Sequence, residues 1–342
     1  MKNLKKLIED KFISVQKHPE VDLFIYNYTQ KAQFDHIWTE ETITCRGLIM
    51  DKEGNIVSRP FKKFFNLEEH KGELPKEPFQ IFEKFDGSLG ISYWIGDTPY
   101  LSTRGSFVSE QAIKGTEILR KYPCSLKMNK NYTYLFEIIY PENRIVIDYK
   151  GREDIVLLAV FDTKSGEELD ITEVGLDFPI TGKVEGIGDL TKLRELEAEN
   201  KEGFVIRFSS GLRLKIKFAE YVRLHRLITG INARRIWDLM RNDQPFTELL
   251  ERVPEEFLTW VNTTRKNLQD EFNLIECLAL KNWEIIKTLP DRKSKALALM
   301  KIPEKQKCVI PIVFNLLDRK SYSEKIWKII KPAHEVPFKK EI

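Results

Sequence analysis

The chain has 342 residues, 42% hydrophobic and 31% charged, which is enough apolar material for a buried core and suggests two domains. Its 55 basic and 52 acidic side chains leave a net charge of +3, which does not mark a polycationic nucleic-acid binder, so any basic surface must be local. Cys45, Cys124, Cys277 and Cys308 stand far apart without C-x-x-C spacing, which points away from a zinc site or a disulfide framework and toward a reducing compartment. The opening Met1 to Leu7 soon meets Glu9 and Asp10, and no apolar run reaches the length of a membrane span. A soluble cytoplasmic protein is expected.

Short β-branched and aromatic runs fill the first two thirds of the chain. They predict strands at 23–28, 47–50, 79–82, 89–94, 132–139, 155–161, 203–208 and 212–217, with helices at 4–12, 109–121 and 190–200. Strands follow strands without a helix between each pair, which predicts an α+β domain with mostly antiparallel sheets. Beyond Phe218 the pattern becomes helical. Tyr221, Val222, Leu224, Leu227, Ile228 and Ile231 share one face, and similar faces run through Phe257, Trp260 and Val261, then Phe272, Ile275, Leu278, Leu280 and Trp283, then Ile326, Trp327, Ile329 and Ile330. Pro254, Pro290, Pro303 and Pro332 separate them as stops or first-turn residues. The expected organisation is an α+β domain over 1–218 and an all-α domain over 219–342, with no internal repeat or low-complexity linker.

The most informative segment is Glu83-Lys84-Phe85-Asp86-Gly87-Ser88-Leu89, which sets a lysine two residues before a carboxylate and an Asp-Gly turn. Covalent attack on a nucleotide α-phosphate needs an amine that loses its proton near neutral pH, held rigidly among other cations. The run 79–82 places Lys84 where a strand ends. Alone, such a string fits a solvated turn better than a nucleophile.

Further segments supply what that reaction requires. Arg46-Gly47 opens a strand, and Lys63 lies within Arg59-Pro60-Phe61-Lys62-Lys63-Phe64-Phe65-Asn66; both suit a triphosphate. Ser102-Thr103-Arg104-Gly105-Ser106, Leu135-Phe136-Glu137-Ile138 and Lys201-Glu202-Gly203 follow, and then Leu212 to Phe218. In the last of these, Lys215 and Lys217 are two apart on a strand and project from one face. Their like-charge pressure is expected to push the Lys84 pKa down, while Glu137 and Glu202 could hold a divalent metal. Each residue also has an ordinary reading: a wet edge strand for the lysines, a simple ion pair for Glu137, a plain turn for Glu202, surface positions for Arg46 and Lys63. Their joint, ordered occurrence is what argues otherwise.

This ordered set resembles the covalent nucleotidyltransferase superfamily of polynucleotide ligases and capping enzymes, and within it the phage T4 RNA ligase 1 family. The distinguishing residues are Arg46-Gly47-Leu48-Ile49-Met50, the element from Arg59-Pro60 to Phe64-Phe65-Asn66, and Arg104-Gly105-Ser106 followed by Ser109-Glu110-Gln111-Ala112. The resemblance spans roughly 21–218. It implies an ATP-grasp-like ligase domain in which Lys84 is adenylylated, Glu137 and Glu202 are the acidic residues of two motifs and metal ligands, and Lys215 and Lys217 contact the α-phosphate. It also implies that Arg46 and Lys63 contact the triphosphate and that Arg104 lies near the ribose, where the family has a basic residue. Phe161 is the expected adenine shelf, although a core aromatic fits it equally.

The implied activity is ATP- and magnesium- or manganese-dependent joining of RNA 5′-phosphate and 3′-hydroxyl ends, with tRNA among the expected substrates and a monomer as the expected state. A capping guanylyltransferase or DNA ligase is the alternative, but each usually carries an Arg soon after the motif glycine, where Ser88-Leu89 stands, and a following OB domain. A catalytically silent RNA-binding protein is a third reading, disfavoured because no charged motif residue is replaced by an uncharged one. His18, His36, His70, His225 and His334 show no ligand spacing, His225 reads as a surface residue, and Trp237, Trp260, Trp283 and Trp327 read as core. Arg234, Arg235, Arg292, Lys293, Lys295, Lys301, Lys305 and Lys307 could meet RNA phosphates, but a solvated helical face accounts for them more simply.

Overall fold

The β-branched and aromatic runs of the first two thirds assemble into three sheets in the computed structural model, which describes residues 3–70, 72–193, 196, 198–250, 253 and 255–333. Helix α1 (Leu4–Glu9) leads into β1 (Ile13–Lys17) and β2 (Leu23–Tyr28). Helices α2 (Gln30–Phe34) and α3 (Glu40–Thr44), capped by Thr29 and Thr39, precede β3 (Arg46–Asp51) and β4 (Ile56–Ser58). These strands form an antiparallel sheet in chain order.

Next come β5 (Phe65–Asn66), β6 (Phe79–Lys84), β7 (Ser88–Ile95), β8 (Thr98–Ser102) and helix α4 (Glu110–Lys121). Then follow β9 (Tyr132–Ile139), β10 (Asp154–Asp162), β11 (Glu168–Leu169), helix α5 (Leu190–Leu193), β12 (Gly203–Phe208) and β13 (Arg213–Lys217). The second sheet has the order β11-β10-β9-β7-β8 and the third β5-β13-β12-β6, with only the β13–β5 pair parallel. Phe136, Ile138, Leu157 and Val160 of β9 and β10 pack with Ile118 and Leu119 of α4 in the core behind the second sheet. Ile25, Ile49, Ile91 and Leu135 fill a second cluster.

Several elements differ from the sequence expectation for identifiable reasons. Helix α1 stops at Glu9, not at 12, because Lys11 adopts φ 62° and the amides of Lys11 and Phe12 bond back to Ile8 and Leu7. This is a Schellman stop with lysine where glycine is usual, so no glycine announced it. Strand β1 buries only its first residue, β8 contains Pro99, and β4, β5 and β11 are two or three residues long, which is too little alternation to read. Of the helix expected at 190–200, the described residues are helical over Leu190–Leu193 and not helical at 196 and 198–200; positions 194, 195 and 197 lie outside the described residues.

The chain divides into two compact units, 1–222 and 223–342, with α6 (Ala219–Gly230) running through the division. The second unit contains α7 (Ala233–Arg241), α8 (Thr247–Leu250), α9 (Glu255–Ile286), α10 (Arg292–Met300), α11 (Ile310–Leu317) and α12 (Ser323–Ile329). The two faces read at 257–261 and 272–283 belong to one 32-residue helix, α9, which no proline interrupts. Its Ala279 and Ile286 pack with Leu299, Ile312, Val313 and Ile326, and the indole N–H of buried Trp237 donates to the Trp327 carbonyl at 2.8 Å. Leu280 and Ile329, expected on buried faces, are exposed. Pro254 and His334 lie outside the described residues. Among the described residues no helix is long and apolar enough to cross a membrane.

Gly203 opens β12 with φ 147°, and a Cβ there would lie 2.0 Å from the Ile216 carbonyl oxygen of β13. Gly203→Ala must therefore push two paired strands apart. A loss of about 2 kcal/mol or more is expected, as for an overpacked core. Urea midpoints compared with Gly188→Ala, where a Cβ meets nothing, would check it.

Candidate active site

Pairing in the third sheet brings the candidate residues together. Gly203 lies opposite Lys84 on one side and Lys217 on the other, so the ends of β6 and β13 flank the start of β12. Glu202, one residue earlier and 3% exposed, is shared between the two lysines. Its Oε2 accepts from Lys84 Nζ at 2.7 Å and its Oε1 from Lys217 Nζ at 2.9 Å. A side chain at 203 would obstruct this arrangement, so the glycine belongs to the site as well as to the sheet.

Burial alone would lower the Lys84 pKa, but Glu202, and then Glu137 and Asp86, outweigh it, so the pKa stands above the ordinary lysine value. This reverses the expectation that neighbouring lysines would push it down. The carboxylate in contact acts more strongly than the ammonium groups, and the lysine that is depressed is Lys215 instead. Burial, with Lys84, Lys217, Lys63 and Arg46 around it, lowers the Lys215 pKa to about 7. Glu202 is itself held below the usual carboxylate value, because its two lysines outweigh its burial.

Glu137 comes from the second sheet, on β9 opposite Leu89 of β7. The Gly87 amide donates to its Oε1 at 2.9 Å. Burial pushes its pKa up to about 7, against the pull of Lys84. Gly87 is required for space, not for a left-handed turn: a Cβ would lie 2.5 Å from the Ile138 carbonyl oxygen and 3.1 Å from Glu137 Cγ. Asp86 is not a wet turn residue either. It is 4% exposed; its Oδ2 accepts from the amides of Val146 and Ile147 at 2.9 and 3.0 Å, and its Oδ1 from the Tyr221 hydroxyl at 2.8 Å. Its own amide donates to the Tyr149 hydroxyl at 2.8 Å. Tyr149 and Tyr221 received no site role from the sequence, since Tyr221 reads as one more residue of a helical apolar face.

The remaining cations form a second group. Arg46 opens β3, and its Nη1 is buried without a hydrogen-bond partner among the described residues. Burial and then Arg104 lower its pKa to about 10. Arg104 donates to the Tyr28 hydroxyl at 3.1 Å. Burial would raise the Tyr28 pKa, but Arg104, Arg46 and Lys63 together bring it below the ordinary phenol value. Phe64 links the two groups, with Arg46 and Lys215 lying 5.6 and 5.9 Å from its ring centre. Tyr28 and Glu137 favour the Arg46 charge, and an anion at Nη1 would satisfy the one buried N–H group left over.

Phe161 stands elsewhere. It pairs with Thr133, four residues along β9 from Glu137, or roughly 13 Å at the usual rise of a strand. It packs edge-on to Phe61 at 5.8 Å, with Arg213 at 5.9 Å, at the end of β13 away from Lys217. Its half-buried ring packs against the cluster around Ile25 and Leu135.

The two carboxylates expected to hold a divalent metal, Glu137 and Glu202, differ in how their oxygens are engaged. Glu202 has both oxygens engaged by ammonium groups, whereas Glu137 is a buried carboxyl whose raised pKa a cation would relieve. Magnesium commonly binds through one or two carboxylates, with phosphates and water as its other ligands, and this site fits that pattern. Among the described residues no three His, Cys, Asp or Glu side chains converge as ligands.

Lys84 on its shared carboxylate thus stands in a cluster of cations, with Lys217, Lys215, Lys63 and Arg46 near enough to act on one another's charge. Comparison with known proteins gives the class of protein. The family described as RNA ligase matches residues 44–222. A Thermovibrio ammonificans protein named "Putative RNA ligase" is 32% identical over 267 residues, covering 71% of this chain and 69% of that protein. The RNA ligase of Rhodothermus phage RM378 is 24% identical over 298 residues, covering 64% of this chain and 67% of the phage protein. A solved archaeal ATP-dependent RNA ligase superposes with a TM-score of 0.47 at 14% identity, over 77% of this chain and 68% of its own. The chain belongs to the RNA ligase family.

Replacing Glu202 leaves two half-buried ammonium groups without their counter-charge. The raised Lys84 pKa stabilises the fold fully below the unfolded lysine value and is lost as pH rises through the folded one. The lowered Glu202 pKa contributes above the unfolded carboxylate value and is lost as pH falls through its own. Both are fully present at pH 7, where Glu202→Gln should cost about 3 kcal/mol. Urea midpoints at pH 7 and pH 4 test this, and the difference between variant and parent should shrink at the lower pH.

Proposed function

We propose that the protein is an ATP-dependent RNA ligase in which unit 1–222 is the nucleotidyltransferase domain and Lys84 carries the adenylyl group. The observation that carries the reading is the Lys84–Glu202–Lys217 ion triad beside the buried, partnerless Nη1 of Arg46. Lys84 Nζ attacks the α-phosphate of ATP; the N–P bond forms as the P–O bond to pyrophosphate breaks. Before attack the amine must lose a proton, and Glu202 Oε2, at 2.7 Å, is within reach to accept it. Before that transfer Lys217 holds the Glu202 carboxylate at its other oxygen, at 2.9 Å. Lys215 and Lys217 face the α-phosphate, Arg46 and Lys63 face the departing pyrophosphate, and Arg104 lies by the ribose. Glu137 would hold a magnesium or manganese ion, which supplies charge neutralisation at the phosphates when bound.

In the second step an RNA 5′-phosphate oxygen attacks the adenylyl phosphorus and Lys84 leaves as the amine. In the third, the 3′-hydroxyl of the other end attacks the activated 5′-phosphate and AMP departs. Positioning and electrostatics carry most of such a reaction, which a fixed array of cations is suited to supply. We further propose cytoplasmic action as a monomer on broken RNA, tRNA included, with the helical unit 223–342 selecting the substrate.

Incubation with labelled ATP and magnesium, followed by a denaturing gel, tests the first step. Label should reside on the parent protein and be absent from Lys84→Ala and Lys84→Arg, since a guanidinium stays protonated and is a poor nucleophile. Label on Lys84→Ala would remove the mechanism. Equal sealing rates on a nicked anticodon stem-loop and a linear strand would remove the preference for tRNA.

Arg46→Ala should slow lysyl-AMP formation by about 100-fold, comparable to losing one charge-stabilising donor. Sealing of RNA that already carries a 5′-adenylyl group should fall far less, since that substrate lacks the β and γ phosphates. Equal losses in the two assays would assign Arg46 to the fold or to RNA.

A further inference from the structure

Lys63 has an unusual setting for a lysine beside a phosphate site. Its Nζ lies 4.4 Å from the ring centre of Trp38, 4.6 Å from that of Phe65 and 5.5 Å from that of Tyr28. The rings meet edge to face, Tyr28 with Trp38 at 5.3 Å and Trp38 with Phe65 at 5.7 Å, and so form a box with three aromatic walls. Glu69 favours the Lys63 charge, but among the described residues no carboxylate forms an ion pair with it, and its neighbour Lys62 is exposed.

The box is anchored by backbone. The Lys63 amide donates to the Ile43 carbonyl at 2.8 Å, which ties the segment to α3. Trp38 immediately precedes the cap of that helix, where Thr39 and Thr42 bond reciprocally and the Thr42 hydroxyl also donates to the Ile37 carbonyl at 2.8 Å. The Trp38 amide donates to His36 at 3.1 Å. Three rings far apart in sequence are thus brought to one ammonium by β2, the α3 cap and β5.

Ring faces attract an ammonium without neutralising it. A carboxylate partner would have to be displaced before a phosphate could gain the charge, whereas an aromatic box leaves it available and already stripped of much of its water. We infer that Trp38 is a positioning residue for lysyl-AMP formation, its indole face holding the Lys63 ammonium oriented, without an ion pair, for the pyrophosphate end of ATP. This rests on the assignment of Lys63 to the triphosphate. Trp38 offers the nearest of the three rings and the type with the strongest cation attraction.

The test uses the full chain with Trp38→Leu, Trp38→Phe, Lys63→Ala and the Trp38→Leu/Lys63→Ala pair. Trp38→Leu should raise the ATP concentration for half-maximal lysyl-AMP formation roughly tenfold, and Trp38→Phe should recover much of that loss. Sealing of pre-adenylylated RNA should be nearly unchanged, and the double variant should be no worse than Lys63→Ala, since both changes remove one interaction. In the parent protein, NMR should find the Lys63 ε-protons shifted upfield by the rings. Equal losses in both assays, or additive losses in the double variant, would overturn the proposal. A weakened Lys63→Ala beside an unaffected Trp38→Leu would overturn it while leaving the role of Lys63 standing. ATP dependence unchanged in both would remove the Lys63 assignment and the proposal with it. If Trp38→Leu fails to fold, Trp38→Phe and the parent spectrum decide: ordinary ε-proton shifts, or unchanged ATP dependence in Trp38→Phe beside a weakened Lys63→Ala, would overturn the box.

Discussion

Glu202 sits between Lys84 and Lys217, and most of the site depends on that shared carboxylate. Two ammonium stems converge on it because β6, β12 and β13 are paired in one register, with a glycine at the crossing point. A slip of one residue in either pairing would turn a lysine to the other face. The ion triad is therefore both a product of the sheet register and a constraint on it. It also sets the charge of Lys84, since the carboxylate it touches holds its pKa above the ordinary lysine value.

Around the triad the charges are deliberately unequal. Glu202 satisfies two cations, while Arg46, Lys63 and Lys215 have no comparable carboxylate among the described residues. Aromatic faces stand in for counter-ions there: Phe64 beside Arg46 and Lys215, and Tyr28, Trp38 and Phe65 around Lys63. Rings attract cations and hold them in place without neutralising them.

Asp86 ties this chemistry to the fold. By accepting from Val146, Ile147 and Tyr221 it fastens the segment after Lys84 to the stretch following β9 and to the start of α6. A cut at Phe218, where the change of sequence pattern suggests a boundary, would remove Tyr221 from this network. The division at Val222 keeps it, so a boundary read from hydrophobic periodicity alone falls four residues short of the contacts that stabilise the site.

By itself the sequence determined the class of fold, the long strands and their approximate limits, the helical character of the last third and the charged residues that meet in the cleft. Alternation over five or more residues is a strong local signal, and the order of charged motifs survives folding unchanged. It also carried the family, because that order and spacing are properties of the chain. Tertiary structure decided what depends on neighbours distant in sequence. The Lys84 pKa moved opposite to expectation because Glu202, 118 residues away, lies closer to it than any lysine does. Glu202 is shared by two lysines, Phe161 packs edge-on to Phe61, and Asp86 is a staple and not a wet turn. Trp38, Tyr149 and Tyr221 entered the account only through contacts that strand pairing and helix caps create. Which charge wins at a buried atom is set by distances of a few ångströms in three dimensions, and linear spacing does not encode them.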